Sequence, residues 1–316
     1  MSTTDVDRRI RSLRPPKLKL DPYVAQRTLL EDERRSSGKR EQTLTVFLSG
    51  AECPFTCSFC DLWQFTIDGP TPPGALTAQL ANVIGMLDKP FPDRLKLYNA
   101  SNFFDTRAVP AVDVVGIATL SRSFTAVTVE SHANTIGKAT LELAEKISPA
   151  RLEVAMGLET IHPVASAQLN KRLDLARFDS AAKFLADNGI DLRVFVLLGA
   201  PCVGVEESIG WTVRTVEYAV ERGAAVVSII PVRGGNGELE RLQALGHFTP
   251  PTLSQLEESL EQCSHFSDAV VTADLWDVDR LSTCEDCKSA RIERLRRMNS
   301  SGRHEERIVC HVCGRA

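Results

Sequence analysis

Between residues 43 and 275 the chain alternates short β-branched or apolar runs with segments of helical periodicity, and this rhythm limits the fold more than any other feature. The runs are Thr43–Leu48, Arg94–Tyr98, Ala126–Glu130, Leu152–Leu158, Leu192–Leu198 and Ala225–Ile230, with Val270–Leu275 as one more short strand. Between them Leu76, Leu80, Val83, Ile84 and Leu87 recur at helical spacing, as do Phe178, Ala182 and Leu185 and then Ile209, Val213, Val216 and Val220. Helices are also expected through Val112, Ile117 and Leu120 and around Leu141–Ile147. Thr252 followed by Gln255 reads as a capping box opening a helix through Leu256 and Leu260. Strands joined by helices pair in parallel, because a parallel return needs a connection of helix length. A doubly wound sheet and an open barrel both satisfy the rhythm. Cysteines directly after the first strand favour the barrel, whose chemistry gathers at the C-terminal rim of its strands.

The expectation is therefore an α/β chain: an open, partial (β/α)6 barrel over residues 43–278, a basic arm over 1–42 and a small metal-binding tail over 279–316. At 316 residues the chain can bury a large core. A net charge of -4 argues against a globally basic nucleic-acid binder, although local basic patches remain open. The arm carries Arg8, Arg9, Arg11, Arg14, Lys17 and Lys19 and is broken by Pro15, Pro16 and Pro22. It reads as a solvated segment lying across the domain in preference to an RNA-binding arm. No apolar run is long enough to span a bilayer and no signal-like segment opens the chain, so the expected location is the cytoplasm, away from membranes.

Seven of the nine cysteines fall into two groups: Cys53, Cys57 and Cys60, then Cys284, Cys287, Cys310 and Cys313. An odd total without an export signal points to metal in preference to disulfides. Cys202 and Cys263 stand apart, as a loop thiol and a helix thiol. In Cys53-Pro54-Phe55-Thr56-Cys57-Ser58-Phe59-Cys60 each thiolate can take one iron of a cubane, leaving the fourth iron open to substrate. A zinc site here lacks a fourth ligand unless Asp61 serves, and buried structural thiols are the plain alternative.

That segment, C-x3-C-x2-C after the first strand with an aromatic before the last cysteine, resembles the radical S-adenosylmethionine (SAM) superfamily. The resemblance implies a [4Fe-4S] cluster on Cys53, Cys57 and Cys60, with SAM on the open iron. It further implies reductive cleavage to a 5′-deoxyadenosyl radical and a flavodoxin- or ferredoxin-type electron donor. It places Phe59 against the adenine. Where the family often has Gly-Gly-Glu for the SAM amino group, this chain reads Tyr98-Asn99-Ala100-Ser101-Asn102, leaving Asn99 or Ser101 for that contact. Glu130 and Glu159 end strands, where a carboxylate can accept from ribose hydroxyls or an ammonium. Gly157-Leu158-Glu159-Thr160 followed by Asn170-Lys171-Arg172 is similar to the Elongator-type and methylthiolating branch, which implies ribose and carboxylate contacts for Glu159 and Arg172. A looser likeness links Gly157–Pro251 to the radical SAM lyase of archaeosine synthesis and implies a tRNA base as substrate. A small-molecule or peptide substrate, and a non-enzymatic metal-binding module, are the other readings.

The tail pairs two Cys-x-x-Cys motifs, four thiolates in all, as a closed structural zinc requires. An auxiliary iron–sulfur cluster is the rival. Cys310-His311-Val312-Cys313-Gly314 resembles a zinc knuckle. Seven cations stand between the pairs against three carboxylates, a candidate grip for RNA phosphate or a solvated helix face.

Overall fold

The computed structural model describes residues 3–314. Helix α1 (Thr3–Leu13) precedes a hairpin of β1 (Arg27–Arg34) and β2 (Arg40–Phe47). Strands and helices then alternate: α2 (Ala75–Gly85), β3 (Arg94–Tyr98), α3 (Ala111–Ser121), β4 (Ala126–Ser131), α4 (Lys138–Ile147) and β5 (Arg151–Glu159). After α5 (Pro163–Gln168) and α6 (Leu175–Asp187) come β6 (Asp191–Leu198), α7 (Val205–Glu221) and β7 (Ala224–Pro231). The chain ends with α8 (Glu238–Ala244), α9 (Leu253–Gln262), β8 (Val270–Ala273) and α10 (Glu285–Ser301). The capping box forms as expected: Thr252 N donates to Gln255 Oε1 at 2.9 Å and Gln255 N to Thr252 Oγ1 at 3.3 Å.

All eight strands join one sheet in the order β1 to β8. β2 to β8 run parallel, and β1 is antiparallel to β2 with Arg27 opposite Phe47 and Arg34 opposite Arg40. The seventh parallel strand, β8, falls on the short run expected at Val270–Leu275, and β1 adds an eighth strand from the segment assigned to the basic arm. β1 and β8 do not pair with each other, so the barrel is open at one seam.

The alternation of side chains across the strands builds two interiors. Leu44, Val46, Leu95, Leu97, Val127, Val129, Val154, Val194 and Val196 face outward and join the apolar core beneath the helices. The opposite face lines the barrel, and its lower part is ionic. Buried Glu153 accepts from Thr128 Oγ1 at 2.6 Å, Arg94 and Arg193 at 3.3 Å and Arg35 at 3.4 Å. Glu33 meets Lys96 at 2.5 Å and Arg193 at 3.0 Å. Above this plug Phe47, Tyr98, Phe195 and Trp276 form an aromatic layer, with ring centroids 5.4–6.2 Å apart. A reactant therefore reaches the lumen from the C-terminal rim.

Two terminal segments differ from their expected roles. The arm is tied down rather than solvated: Ile10 of α1 is buried, Arg9 pairs with Glu238, and Arg14 pairs with Glu52 at 2.6 Å while its guanidinium lies over Trp63. The tail does not stand apart either, since Ile292, Leu295 and Met298 of α10 enter the main apolar core. A polar helix with so few apolar residues gains burial only by sharing a neighbour's core.

Candidate active site at the barrel rim and a four-cysteine tail

β2 ends at the rim and releases the loop that carries Cys53, Cys57 and Cys60. Gln79 from α2 fixes its start, accepting from Ser49 N at 2.9 Å and donating to Ser49 O at 3.0 Å. Its middle is gripped by side chains from elsewhere. Asn170 Nδ2 donates to Thr56 O at 2.9 Å and Thr56 Oγ1 at 2.8 Å, and Asp7 of α1 accepts from Thr56 Oγ1 at 2.5 Å. Asn236 Nδ2 donates to Ser58 O at 2.9 Å and Cys60 O at 3.3 Å, while Ser58 N donates to Leu169 O at 2.9 Å. The cysteines are half-buried, and burial pushes all three thiols up, Cys57 to about 12. Thiols so placed become thiolates only when a cation compensates them.

Glu159 and Lys171 meet beside this loop. Lys171 Nζ lies 2.5 Å from Glu159 Oε1, and both are largely withdrawn from solvent. Burial opposes the Lys171 charge, but Glu159 and the Cys57 and Cys53 sulfurs outweigh it and hold Lys171 above its ordinary value. Gly157 makes room for the pair, because a Cβ there would lie 1.9 Å from Glu159 Oε1 and 2.4 Å from Lys171 Nζ. Arg172, in contrast, turns outward to pair with Asp7. The basic residue at the thiols is thus Lys171, which the run Asn170-Lys171-Arg172 contained without marking which of its cations turns inward.

Glu130 is engaged by the protein itself. It accepts from Asn99 N at 2.6 Å and from the backbone of Ala100 and Ser101, holding the loop after β3. Burial nevertheless pushes its carboxyl up to about 7. Within that loop the Asn99 amide, fully buried, has no partner on either Nδ2 or Oδ1, and the buried Ser101 Oγ has none. Such orphans are rare in a folded interior and mark a missing partner. Phe59 packs with Leu169, Leu197, Ala200, Val232 and Leu239 in a second apolar cluster.

His132 was not singled out from the sequence as a site residue. Its Nδ1 accepts from Asn134 N at 3.1 Å, which leaves the Nε2 hydrogen for Lys171 O at 3.0 Å. Its ring stacks on Phe55 of the cysteine loop at 4.1 Å and 15°. Burial and then the Lys171 charge hold its pKa down to about 4, so it links the loop to Lys171 as a neutral ring. Among the described residues six non-glycine positions have left-handed backbone: Ala100 and Cys202 after β3 and β6, Glu159 at the end of β5, Asn170 and Arg172 between α5 and α6, and Asp277 after β8. Strain of this kind gathers where geometry serves function.

In the tail, Cys284 Sγ lies 3.8 Å from Cys310 Sγ and Cys287 Sγ 3.9 Å from Cys313 Sγ, and all four sulfurs fall within 4.8 Å of one another. A tetrahedron with metal–sulfur arms of about 2.3 Å has edges of about 3.8 Å. A disulfide needs sulfurs at about 2.05 Å. Thiolates on separate irons of a cubane stand farther apart than ligands of one ion, so the spacing suits a single metal. Among the described residues this is the one group of three or more His, Cys, Asp or Glu ligand atoms gathered so closely. The tail's basic residues are largely neutralised: Arg291 and Arg294 bind Glu257, Arg294 and Arg307 bind Glu261, and Lys288 binds Glu285.

No family model and no curated protein matches the sequence. Solved structures do. The chain is similar to the archaeal Elp3 of Methanocaldococcus infernus, with a TM-score of 0.52 and 13% identity over 72% of this chain and 59% of that one. It is similar to methylornithine synthase, with a TM-score of 0.52 and 14% identity over 73% and 64%. It is also similar to a radical SAM methyltransferase from Sphaerobacter thermophilus, with a TM-score of 0.50 and 16% identity over 81% and 77%. The fold is that of the radical SAM enzymes. This chain spans about three-fifths of the length of the first two relatives. In this chain the cysteine loop follows β2, the first parallel strand, and no helix among the described residues is long and apolar enough to cross a membrane.

Proposed function

We propose that the chain is a radical SAM enzyme in which Cys53, Cys57 and Cys60 hold a [4Fe-4S] cluster. The observation that carries this reading is a three-thiol loop at the rim of this fold, immobilised by residues from four other segments, beside buried polar atoms that lack partners. The residues fit the cofactor pair: three thiols for three irons, an acid–base pair near them, and an orphaned amide and hydroxyl for a polar ligand. When bound, the cluster and SAM supply one-electron cleavage to a 5′-deoxyadenosyl radical. Glu159 and Lys171 present opposite charges to the ribose and carboxylate of SAM, with Lys171 taking the part expected of Arg172. Asn99 and Ser101 offer the donors and acceptors that the amino-acid end of SAM needs. Glu130 holds the 99–101 loop in place. The ionic plug of Glu153, Glu33 and their arginines and lysine fills the lower barrel and would keep water from reaching a bound cofactor from below.

Anaerobic reconstitution tests the reading. The wild-type protein with a strong reductant yields methionine and 5′-deoxyadenosine, and each of Cys53→Ala, Cys57→Ala and Cys60→Ala abolishes both. Full turnover by the triple variant overturns it. For the substrate we propose an RNA base, of tRNA in particular, supported by the residue-level likeness around Gly157–Thr160. Salt-dependent retention of tRNA checks this; release of bound metabolites or peptides, with no RNA, moves the substrate to the small-molecule class. A flavodoxin- or ferredoxin-type protein is the proposed donor.

The tail we read as a structural zinc site on Cys284, Cys287, Cys310 and Cys313, supported by two sulfur separations of 3.8 and 3.9 Å, close to the edge of a single-ion tetrahedron, and by all four sulfurs lying within 4.8 Å of one another. Metal analysis of the rim triple-alanine variant decides it: one zinc and no iron supports the site, and iron with sulfide transfers it to the auxiliary-cluster reading.

A further inference from the structure

The barrel's open seam lies between β1 and β8, each of which has only one strand neighbour. Unpaired edges expose backbone donors and acceptors and need a cover. α10 lies against both strands. It covers β8 as a strand would: Asn299 Oδ1 accepts from Ala273 N at 2.9 Å and its Nδ2 donates to Ala273 O at 2.8 Å. At the foot of the seam, Gly302 faces the end of β1 so closely that a Cβ would lie 2.2 Å from Arg34 Cζ. Ile292, Leu295 and Met298 seal the space between.

α10 is poorly suited to hold that position alone, because its few apolar residues all lie on this one face. Two devices hold it. Arg291 and Arg294, both buried, bind Glu257 and Glu261 of α9. The segment after the helix returns along it, its carbonyls at Glu305 and Glu306 accepting from Arg294, until Cys310 and Cys313 reach Cys284 and Cys287 at the helix start. This return segment contains no helix or strand of its own; Arg307 ties it to Glu261, and its end meets the start of α10 at the thiol group.

We propose that the tail metal is the latch that holds α10 across the seam, so that metal occupancy sets the closure of β8 and β1 while the rim loop stands without it. The proposal rests on reading the four cysteines as a metal site. It connects that site to the rim, since the segment after β8 is bonded to Arg233 of the β7 loop through Asp274 and the Trp276 carbonyl, and Trp276 packs against Phe47 at 5.4 Å with the rings tilted by 45°.

Hydrogen exchange of the full chain tests it, comparing wild type with a Cys310→Ser/Cys313→Ser variant and with Asn299→Ala. The double variant loses its zinc, and amides of residues 27–34 and 270–273 exchange at least tenfold faster while β4, β5 and β6 stay protected. Asn299→Ala keeps the zinc and speeds exchange around Ala273. If the double variant does not fold, wild type exchanged during stepwise zinc removal by a chelator gives the same comparison. Zinc lost with the seam amides unchanged overturns the latch and leaves the metal site standing. Acceleration spread equally through β4–β6 also overturns it. Wild type with no metal on the tail cysteines removes both the site and the latch.

Discussion

The loop bearing Cys53, Cys57 and Cys60 is held by Asp7, Gln79, Leu169, Asn170 and Asn236, residues drawn from four separate segments of the chain. Of the four tail cysteines, Cys284 is the N-cap of α10, Cys287 lies in its first turn, and Cys310 and Cys313 lie on the return segment that contains no helix or strand. Among the described residues only the tail gathers its thiols around one point. A reactive site must keep its shape while its ligand changes, so the protein provides the order. A structural site lets the metal provide order, and its metal binding is folding free energy.

The largest expected effect separates the two groups at once. Cys57→Ala removes cleavage of SAM entirely and moves Tm little. Cys310→Ser keeps the rim cluster but lowers stability by about 3–5 kcal/mol, part of what a structural zinc contributes, or roughly 5–8 °C for a chain of this size. Calorimetry beside a cleavage assay reads both, and equal Tm losses at the two sites would break the comparison.

A similar loss is expected at a place that neither group touches. Glu153→Gln leaves Arg94, Arg193 and Arg35 short of their buried anion and costs about 3–5 kcal/mol. The three arginines and Thr128 overcome burial and hold Glu153 far below the usual carboxylate range, and Glu33 is held down to about 2. A depressed carboxylate stabilises the fold above its unfolded pKa and loses that contribution as pH falls through the folded value. The wild-type Tm therefore drops below about pH 4.5, and Glu153→Gln flattens that drop. An unchanged acid profile would remove the plug from the account of stability.

Smaller effects sharpen the rim side. Glu159→Gln or Lys171→Met weakens SAM binding by about 1.5–3 kcal/mol, the worth of a charge-assisted hydrogen bond, with cluster content retained. Arg172→Met changes binding little, because Arg172 faces Asp7. A calorimetric titration ranks the three, and equal losses at Lys171 and Arg172 would return the role to the outer residue. Asp7→Asn, which weakens one anchor of the loop, costs about 0.5–1.5 kcal/mol and shows first as faster cluster loss in air.

The parallel strands and most of the helices were legible because their signals are local: alternation, apolar spacing and the Thr252–Gln255 cap each occupy a few residues. β1 was missed because Arg27-Thr28-Leu29-Leu30-Glu31-Asp32-Glu33-Arg34 is mostly charged. Its inward Glu33 is masked as surface charge until Lys96 and Arg193 arrive to meet it. The thiol groups were legible as spacings. Which cation faces the thiols was not, since Lys171 and Arg172 are adjacent and only the arrival of Asp7 draws Arg172 outward.

The sequence by itself determined the α/β class, the position of the three-thiol loop after the first parallel strand, and the existence of a second group of four thiols. Tertiary structure decided which charges meet: Glu130 with the 99–101 backbone, Lys171 with Glu159, and α1 with the cysteine loop through Thr56 and with Asn170, 163 positions away, through Asp7. It also decided that the barrel stays open and that a polar tail helix covers the opening. Periodicity and spacing are properties of neighbouring residues, whereas the partner of a buried charge depends on which distant segment reaches it first.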